Sequence, residues 1–350
     1  MGQGQKLPSL DGVHVKEDDR MSMSIELLCL VSAMGLTAWL IWLTLPAARQ
    51  MVLALPNERS SHKEPVPQWG GVCILATTLP LLAAIHVWDG AYSLPWTVIG
   101  AAALLGVVGY VDDRKGLTPL FRLFVSAAAA FGVCFATGAT LPVTGLWLPD
   151  ALFAGAALLV LMNVTNFMDG IDGLVVVEFV PMLVYLSTLG AMGWFIKATF
   201  WPPALLAGSL LGFFVFNKPR AKVFLGDAGS ITLGFLIGFI LLKFTADAGL
   251  AAVVILPLYF LADAGITLTR RILRGERVWM PHRLHFYQRA FDANQGNWSI
   301  LVRVLLFNVI ACAASLVTVM TGAWVAPLLL CTLACSALLY SMVSYDAARS

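Results

Sequence analysis

The chain has 350 residues, of which 59% are hydrophobic and only 12% carry a charged side chain. Because a helix needs about 20 apolar residues to cross a bilayer, this composition provides for about ten crossings and excludes a mainly water-soluble protein. The formal net charge of +2 is too small to indicate nucleic-acid binding, and we expect no nucleic-acid partner.

The placement of polar residues divides the chain into two regions. Residues 1–24 are predicted to form a polar N-terminal tail, and residues 25–345 a single transmembrane domain. Apolar segments in that domain predict an all-α, polytopic membrane bundle with about eleven transmembrane helices. The predicted spans are 25–45, 70–88, 94–111, 119–137, 150–167, 174–196, 199–216, 229–243, 249–269, 299–321 and 324–343.

The connections between these spans are alternately basic and nearly uncharged. The basic set includes Arg49, Arg59 and Lys63 in the first loop and a group of arginines between residues 270 and 289. Since Lys and Arg are retained on the cytoplasmic side of membrane proteins, these loops are predicted to be cytoplasmic and the N-terminus external. The odd number of spans then places the C-terminus in the cytoplasm.

Asp112 and Asp113 follow the third span. The negative end of a helix dipole makes a carboxylate there unfavourable by roughly 0.3–1 kcal/mol. Two explanations are open: Arg114 and Lys115 offset this cost, or the pair binds a divalent cation or a phosphate-bearing partner.

The fifth span ends in the stretch NVTNFMDGIDGL at residues 163–174. Asn163, Asn166, Asp169 and Asp172 recur at three-residue intervals, so one face of a helical turn or its extension would gather amide and acid groups. An EF-hand is excluded because its ligand order and terminal Glu are missing. A simple polar turn would require fewer such residues, so we predict a functional segment.

The eighth span begins with Gly-Asp-Ala-Gly-Ser at residues 226–230. Either Asp227 or Ser230 caps this helix, or the segment receives an anion together with the basic residues between 218 and 222. The last basic loop adds His282 and His285, whose spacing suits zinc, although no cysteine or third histidine lies near them. Arginine forks in this loop match phosphate oxygens, while positive-inside bias accounts for part of their number.

The carboxylates of these motifs all lie at predicted cytoplasmic ends of spans, and the middle of the spans is almost free of charge. A transporter would instead bury acidic groups near the bilayer midplane. Acids and cations at one membrane surface suit Mg²⁺ bound to a diphosphate, since magnesium combines few carboxylates with substrate oxygens. The pattern therefore favours an active site that faces the membrane surface.

Four stretches together resemble the polyprenyl-phosphate N-acetylhexosamine-1-phosphate transferases of glycosyltransferase family 4. They are SSHKEPVPQWGG at 60–71, VDDRKGLTP at 111–119, NVTNFMDGIDGL at 163–174 and VFLGDAGS at 223–230. The resemblance implies an enzyme of the bacterial cytoplasmic (inner) membrane that depends on Mg²⁺, with Mn²⁺ as a substitute. It would transfer a sugar-1-phosphate from a UDP-sugar to polyprenyl (undecaprenyl) phosphate, release UMP and initiate a cell-envelope polysaccharide. A homodimer is a further option.

Matching motif to motif implies roles for individual residues. Asp112 and Asp113 correspond to the acidic pair near the lipid phosphate. Asp169 and Asp172 correspond to the nucleotide-side acids, and Asp227 to the magnesium ligand. The further candidates for substrate binding are Lys63, Asn163 and Asn166.

The final loop, PHRLHFYQR at 281–289, resembles the branch that begins O-antigen and related polysaccharides. The phospho-MurNAc-pentapeptide transferase branch has a run of three histidines there instead. This resemblance makes His282, Arg283 and His285 candidates for binding the diphosphate or the sugar. Asp263 also fits the O-antigen branch, but the resemblance assigns it no role.

Two mechanisms are open from the sequence. The lipid phosphate attacks the UDP-sugar directly, aligned by Asp112 or Asp113, or one of these aspartates forms a covalent phosphate intermediate. The alternative functions are a transporter or flippase of lipid-linked precursors and a protein that only binds lipid phosphate. A CDP-alcohol phosphotransferase is disfavoured because DGIDGL lacks the Ala-Arg pair of that class.

Overall fold

The computed structural model describes residues 17–51, 53–54, 66–88, 94–194, 201–277 and 282–347. Within these ranges the chain forms thirteen helices and a two-stranded sheet. The elements are α1 (Glu17–Met51), β1 (Leu53–Ala54), β2 (Val66–Pro67), α2 (Gly70–Trp88), α3 (Trp96–Lys115), α4 (Pro119–Thr137), α5 (Trp147–Met168), α6 (Leu174–Ala191), α7 (Trp201–Asn217), α8 (Gly226–Ala248), α9 (Leu250–Val254), α10 (Leu258–Leu273), α11 (Phe286–Asp292), α12 (Asn297–Thr321) and α13 (Val325–Ala347).

Nine helices in the described part of the chain are long and apolar enough to cross a membrane. They are α1 to α6, α8, α12 and α13. This arrangement confirms the predicted polytopic helical bundle. Their number is smaller than the predicted eleven because two of the predicted spans take a different form.

The seventh predicted span is α7, which is apolar but has only 17 residues. The ninth, predicted as one helix over 249–269, is wrong as a continuous element: α9 ends at Val254 and α10 begins at Leu258. The break contains Pro257, which has no N–H to donate and whose ring would clash with the carbonyl four residues earlier. A short helix and a longer, amphipathic one therefore replace the expected span.

A buried carboxylate accompanies this break. Glu178 of α6 is fully buried and accepts hydrogen bonds from the Phe260 N–H (3.4 Å) and from Asn308 Nδ2 (2.9 Å). The first N–H groups of a helix have no partner within it, and a bilayer offers no water to them. Glu178 thus accepts a backbone N–H at the start of α10, and it is an ionisable residue within a predicted span.

Helix α8 is the most buried of the nine candidate spans, and glycines let its neighbours approach its backbone. A Cβ on Gly109 of α3 would lie 2.5 Å from the backbone nitrogen of Ala228. On α8 itself, a Cβ on Gly234 would lie 2.7 Å from the Cα of Met162 in α5. Small residues permit such close packing of membrane helices. The ends of α3 and α5 are thereby held against the first turns of α8.

The first loop motif also reaches α8. Strands β1 and β2 pair in antiparallel fashion, and Gln68 bridges to Phe224. The N–H groups of Gly70 and Gly71 donate to the carbonyls of Phe224 and Leu225, at 2.8 and 2.9 Å. The described part of the first motif therefore lies beside the segment that precedes Asp227. Lys63 lies outside the described residues.

Candidate active site

Polar side chains from four helices meet at one end of the bundle, which we call the carboxylate end. Helices α3 and α5 finish there, and α4 and α8 begin there. The side chains that meet form the carboxylate cluster. Its members are Asp112, Asp113, Arg122, Asn166 and Asp227.

Arg122, in the first turn of α4, links two carboxylates of the cluster. Its Nη1 lies 2.7 Å from Asp112 Oδ2 and 2.5 Å from Asp227 Oδ2. Arg122 is absent from the sequence-based predictions. The available signal was an arginine within an otherwise apolar span, since such residues in membrane helices usually mark functional sites.

Asp227 faces the cluster rather than capping its own helix. Its second oxygen, Oδ1, accepts a hydrogen bond from Asn166 Nδ2 at 2.9 Å, and the same nitrogen lies 2.9 Å from Ser230 Oγ. The residue before α8 supplies no side-chain cap. Asp227 is thus held by Arg122 on one side and by Asn166 on the other.

Asp113 supplies the missing cap of α8 from a different helix. Its two oxygens accept the N–H groups of Asp227 and Ala228 at 2.9 and 3.2 Å. Gly226, with φ of 73°, makes room, because a Cβ there would lie 2.6 Å from Asp113 Oδ2. The positive end of the α8 dipole therefore stabilises this carboxylate.

Asp112 is buried and has two partners. Arg122 is one, and the Leu117 N–H donates to Asp112 Oδ1 at 2.5 Å. Arg114, which we considered as compensation for the aspartate pair, packs its guanidinium over the Tyr110 ring at 5.3 Å. The favourable partners of the two aspartates thus include Arg122 and the start of α8, both distant in sequence.

The two acids of the DGIDG segment do not continue one helical face, because α5 ends at Met168. Asp172 is buried, and its Oδ2 accepts the N–H groups of Arg220 and Ala221 at 3.0 and 3.1 Å. It thereby holds the loop that leads into α8.

Asp169 has a different environment, just beyond the end of α5. Although the residue keeps some exposed surface, burial of its carboxyl group and the charges of Asp227, Asp113 and Asp172 raise its pKa to about 8. Without a bound cation, Asp169 is therefore mostly protonated at neutral pH.

The final loop places its three candidates differently. His285 is buried and its Nδ1 lies 3.0 Å from Asp263 Oδ1. Arg283 Nη2 pairs with Asp292 Oδ1 at 2.5 Å, while its Nε–H is buried without a hydrogen-bond partner among the described residues. The His282 ring lies 4.9 Å from the His285 ring, between centroids.

An apolar groove of about 620 Å³ adjoins the carboxylate cluster. Its polar lining includes Arg122, Asn163 and Asn166. Asn163 Nδ2 donates to the Leu159 carbonyl at 2.7 Å, within its own helix. The apolar lining comes from α4, α8 and α10. It includes Leu120, Leu123, Ile231, Leu268 and Ile272.

The cluster suits a hard cation with few protein ligands. Two carboxylates, Asp112 and Asp227, already converge on the cationic Arg122 guanidinium. No group of three or more His, Cys, Asp or Glu side chains in the described residues is arranged to hold a metal ion. This disfavours a zinc site at His282 and His285, but Mg²⁺ is commonly bound by one or two carboxylates together with substrate phosphates.

Residues 95–245, which contain the whole carboxylate cluster, match the family model described as glycosyl transferase family 4. Over these residues the chain is similar to glycosyl transferase family 4. The match covers the last three of the four sequence motifs and confirms the resemblance that they carry. It begins directly before α3 and ends within α8.

Individual members of the family align over most of the chain. The decaprenyl-phosphate N-acetylglucosaminephosphotransferase of Mycolicibacterium smegmatis is 27% identical over 342 residues, 81% of each chain. The protein of the same name from Mycobacterium tuberculosis is 26% identical, over 75% of this chain and 74% of its own. The phospho-N-acetylmuramoyl-pentapeptide-transferase of Chlamydia muridarum is 30% identical, over 51% of this chain and 61% of its own. The similarity to the two N-acetylglucosaminephosphotransferases agrees with a place outside the pentapeptide-transferase branch.

Proposed function

We propose that the protein transfers N-acetylglucosamine-1-phosphate from UDP-N-acetylglucosamine to a polyprenyl phosphate and releases UMP. The product is a polyprenyl diphosphate-linked sugar, from which a cell-envelope glycan is built. The observation that carries the proposal is the apolar groove whose lining includes Arg122 and Asn166, two members of the carboxylate cluster. Such a groove matches a molecule with a long apolar tail and an anionic head.

In this proposal the groove binds the apolar tail of the lipid, and the cluster binds its phosphate. Leu120 and Ile272 at the groove are largely exposed toward the bilayer, so an isoprenoid tail could enter from the membrane without crossing water. Arginine provides a planar fork for phosphate oxygens, and Arg122 lies where this tail would end. The two features together support a lipid phosphate as one substrate.

The names of the relatives support the remaining choices. The mycobacterial proteins are named as N-acetylglucosaminephosphotransferases that act on decaprenyl phosphate. We therefore propose N-acetylglucosamine as the sugar in place of an unspecified N-acetylhexosamine. The acceptor is a polyprenyl phosphate of decaprenyl or undecaprenyl length, which differ by a single isoprene unit.

The reaction needs alignment more than activation of the nucleophile. A phosphate monoester has a second pKa near 6, so the lipid phosphate is largely a dianion at neutral pH. Its oxygen attacks the sugar-bearing phosphorus, a new P–O bond forms, and the bond between the two phosphates of the donor breaks. UMP leaves with the electron pair of the broken bond. The side-chain N–H groups of Arg122 and Asn166 hold the phosphate oxygens in line.

Asp227, with Asp112 beside it, would hold Mg²⁺, and Mn²⁺ could replace it. When bound, the cation supplies charge neutralisation for the diphosphate and the leaving UMP. Asp227 is oriented for this role by Asn166, which fixes one of its oxygens.

The surroundings of the aspartate pair support direct attack by the lipid over a covalent enzyme intermediate. Both oxygens of Asp113 accept backbone N–H groups of α8, which reduces their nucleophilicity. Both oxygens of Asp112 also have donors, the Leu117 N–H and Arg122. Neither side chain is poised as a free nucleophile.

We further propose that the carboxylate end faces the cytoplasm of a bacterial inner membrane. The basic residues in the last turn of α3 and those that follow α7 lie at this end, which supports a cytoplasmic orientation under the positive-inside rule. A nucleotide sugar is made in the cytoplasm, so a site at this surface would meet its donor directly.

The test is the identity of the released nucleotide. Purified protein with polyprenyl phosphate, Mg²⁺ and UDP-N-acetylglucosamine should release UMP in equal amount to a new diphosphate-linked lipid. Added UMP should drive the reaction backwards, because one phosphoanhydride bond is exchanged for another. Release of UDP would refute the assigned reaction. No nucleotide release across a panel of UDP-sugars would favour a transporter, a flippase or a lipid-binding protein.

A further inference from the structure

We infer that Asp263 is a positioning residue of the transferase site, which fixes the His285 ring and anchors the final loop to α5. This inference rests on the proposed function. Asp263 lies in α10, the helix that follows the break at Pro257, and it is fully buried.

Three donors of the final loop converge on the Asp263 carboxylate. Oδ1 lies 3.0 Å from His285 Nδ1 and accepts the Phe286 N–H at 3.0 Å, and Oδ2 accepts the Tyr287 N–H at 3.2 Å. Phe286 and Tyr287 begin α11, so the carboxylate also occupies the N-terminus of that helix. Charge-assisted bonds to an anionic acceptor are stronger than neutral ones, and they are stronger still away from water.

The segment held by Asp263 is joined to the functional end of α5. The Tyr287 hydroxyl donates to the Phe167 carbonyl at 3.0 Å. A Cβ on Gly170 would collide with this hydroxyl, so the glycine is needed for the approach. The rings of Phe167 and His285 stack with centroids 6.4 Å apart. Phe167 directly follows Asn166, so neighbouring residues contact the carboxylate cluster and the His285 segment.

Only a carboxylate satisfies this set of donors. An ionised Asp accepts through both oxygens and donates nothing, whereas an Asn has one oxygen and one NH₂ group. If the amide oxygen of an Asn faced His285 and Phe286, its NH₂ group would meet the Tyr287 N–H. In the opposite orientation the NH₂ group would meet the Phe286 N–H. Either arrangement places two donors against each other in a buried site.

The consequence for His285 is a defined tautomer. Because the carboxylate can only accept, Nδ1 carries the proton, and Nε2 is the ring nitrogen left to meet a substrate group. The same logic governs other histidines whose second nitrogen is held by a carboxylate.

The kinetic experiment measures whether Asp263 acts through His285. Asp263→Asn and His285→Gln should each lower kcat/KM for UDP-N-acetylglucosamine by about 10–100-fold, the range typical of lost orienting partners. The kcat/KM of the double variant should lie within about twofold of that of the less active single variant. If the fold loss of kcat/KM in the double variant equals the product of the two single losses, Asp263 and His285 act independently and the inference is overturned. Thr267→Val, which removes only a 3.5 Å contact to Asp263, is the matched control and should retain normal turnover.

A second measurement does not depend on activity or on the folding of any Asp263 variant. The protein contains five histidines, and ¹⁵N-histidine NMR of the wild type, with His285→Gln used for assignment, reports the protonation of each ring nitrogen. The inference requires a proton on Nδ1 of His285, and an unprotonated Nδ1 would overturn it. If no donor yields UMP, the proposed function fails while the NMR result stands.

Discussion

Arg122 is the residue on which the charge balance of the cluster depends. It is the cation placed between Asp112 and Asp227, two carboxylates that would otherwise face each other across a partly buried site. Removing one partner of such a group leaves an unpaired buried charge. The free-energy cost of that charge exceeds the stabilisation that the pair provided. Arg122 thus has both a structural role without substrate and a phosphate-binding role in the proposed reaction.

Arg122→Gln should therefore lower kcat/KM by about a hundredfold or more, the scale for loss of one oriented group at developing charge. The measurement is UMP release by detergent-purified variant, with size-exclusion chromatography to verify folding. Arg274→Gln, an exposed arginine at the same end of the bundle, is the control and should behave as wild type. Equal activity of the two variants would contradict the role of Arg122.

Asp227→Asn tests the proposed metal site. Because Asn has the same size and can keep one acceptor toward Arg122, we expect a folded protein whose turnover falls by orders of magnitude. Its activity should also need far more Mg²⁺ for half-saturation. Near-normal turnover at ordinary Mg²⁺ concentrations would show that Asp227 is only structural. Asp172→Asn is the contrasting variant, since its carboxylate serves backbone N–H groups of the loop before α8 and should mainly affect thermal stability.

At the scale of elements, the packing of α3 on α8 sets the geometry of the site. Asp113 caps α8 only because Gly109, one turn earlier on α3, brings the two backbones together. A side chain at this point would separate the helices and move the aspartate pair with them.

Gly109→Ala should therefore lower the free energy of unfolding by about 1–3 kcal/mol, as expected for overpacking of a tight contact. Activity should fall as well, because Asp113 would leave the start of α8. Gly100→Ala lies on the same helix, where a Cβ meets nothing within 4 Å, and should be neutral or slightly stabilising. Thermal unfolding in one detergent compares the two, and equal melting temperatures would refute the packing argument.

The apolar groove predicts a substrate-selective effect. Leu123→Trp on α4 would fill part of its volume, so the KM for polyprenyl phosphate should rise by about tenfold. The KM for UDP-N-acetylglucosamine should change little, because in the proposed arrangement the lipid and not the nucleotide occupies this groove. Leu104→Trp, at an exposed position of α3, controls for a bulky ring on the outside of the bundle. A rise in the KM of the nucleotide alone would place the lipid elsewhere.

For the whole molecule, the described motifs collect at one end of the bundle, and the orientation of that end decides access to substrates. Lys115→Cys reports on the carboxylate end and Ala323→Cys, between α12 and α13, on the opposite end; both positions are exposed. In a background without the six native cysteines, an impermeant thiol reagent should label only Ala323→Cys in intact cells. Labelling of Lys115→Cys before permeabilisation would reverse the proposed orientation.

Much of the membrane architecture is predictable from the sequence because it depends on local properties. The length of an apolar run is enough to indicate a crossing, and Gly, Asp and Asn clusters between runs locate the motifs. The broken helix at Pro257 was missed, because its apolar composition resembles that of a continuous span. What permits the break is the distant Glu178, which accepts an N–H at the start of α10.

The sequence by itself thus determined the class of fold and the motifs whose described parts lie together at one end of the bundle. Only the tertiary structure decided which groups pair: Asp113 with the start of α8, 114 positions away, Arg122 with Asp112 and Asp227, and Asp263 with His285. Partners so far apart in sequence leave no local pattern, and each residue type admits several partners. Their choice depends on the close approach of α3, α5 and α8, which is a property of the packed bundle.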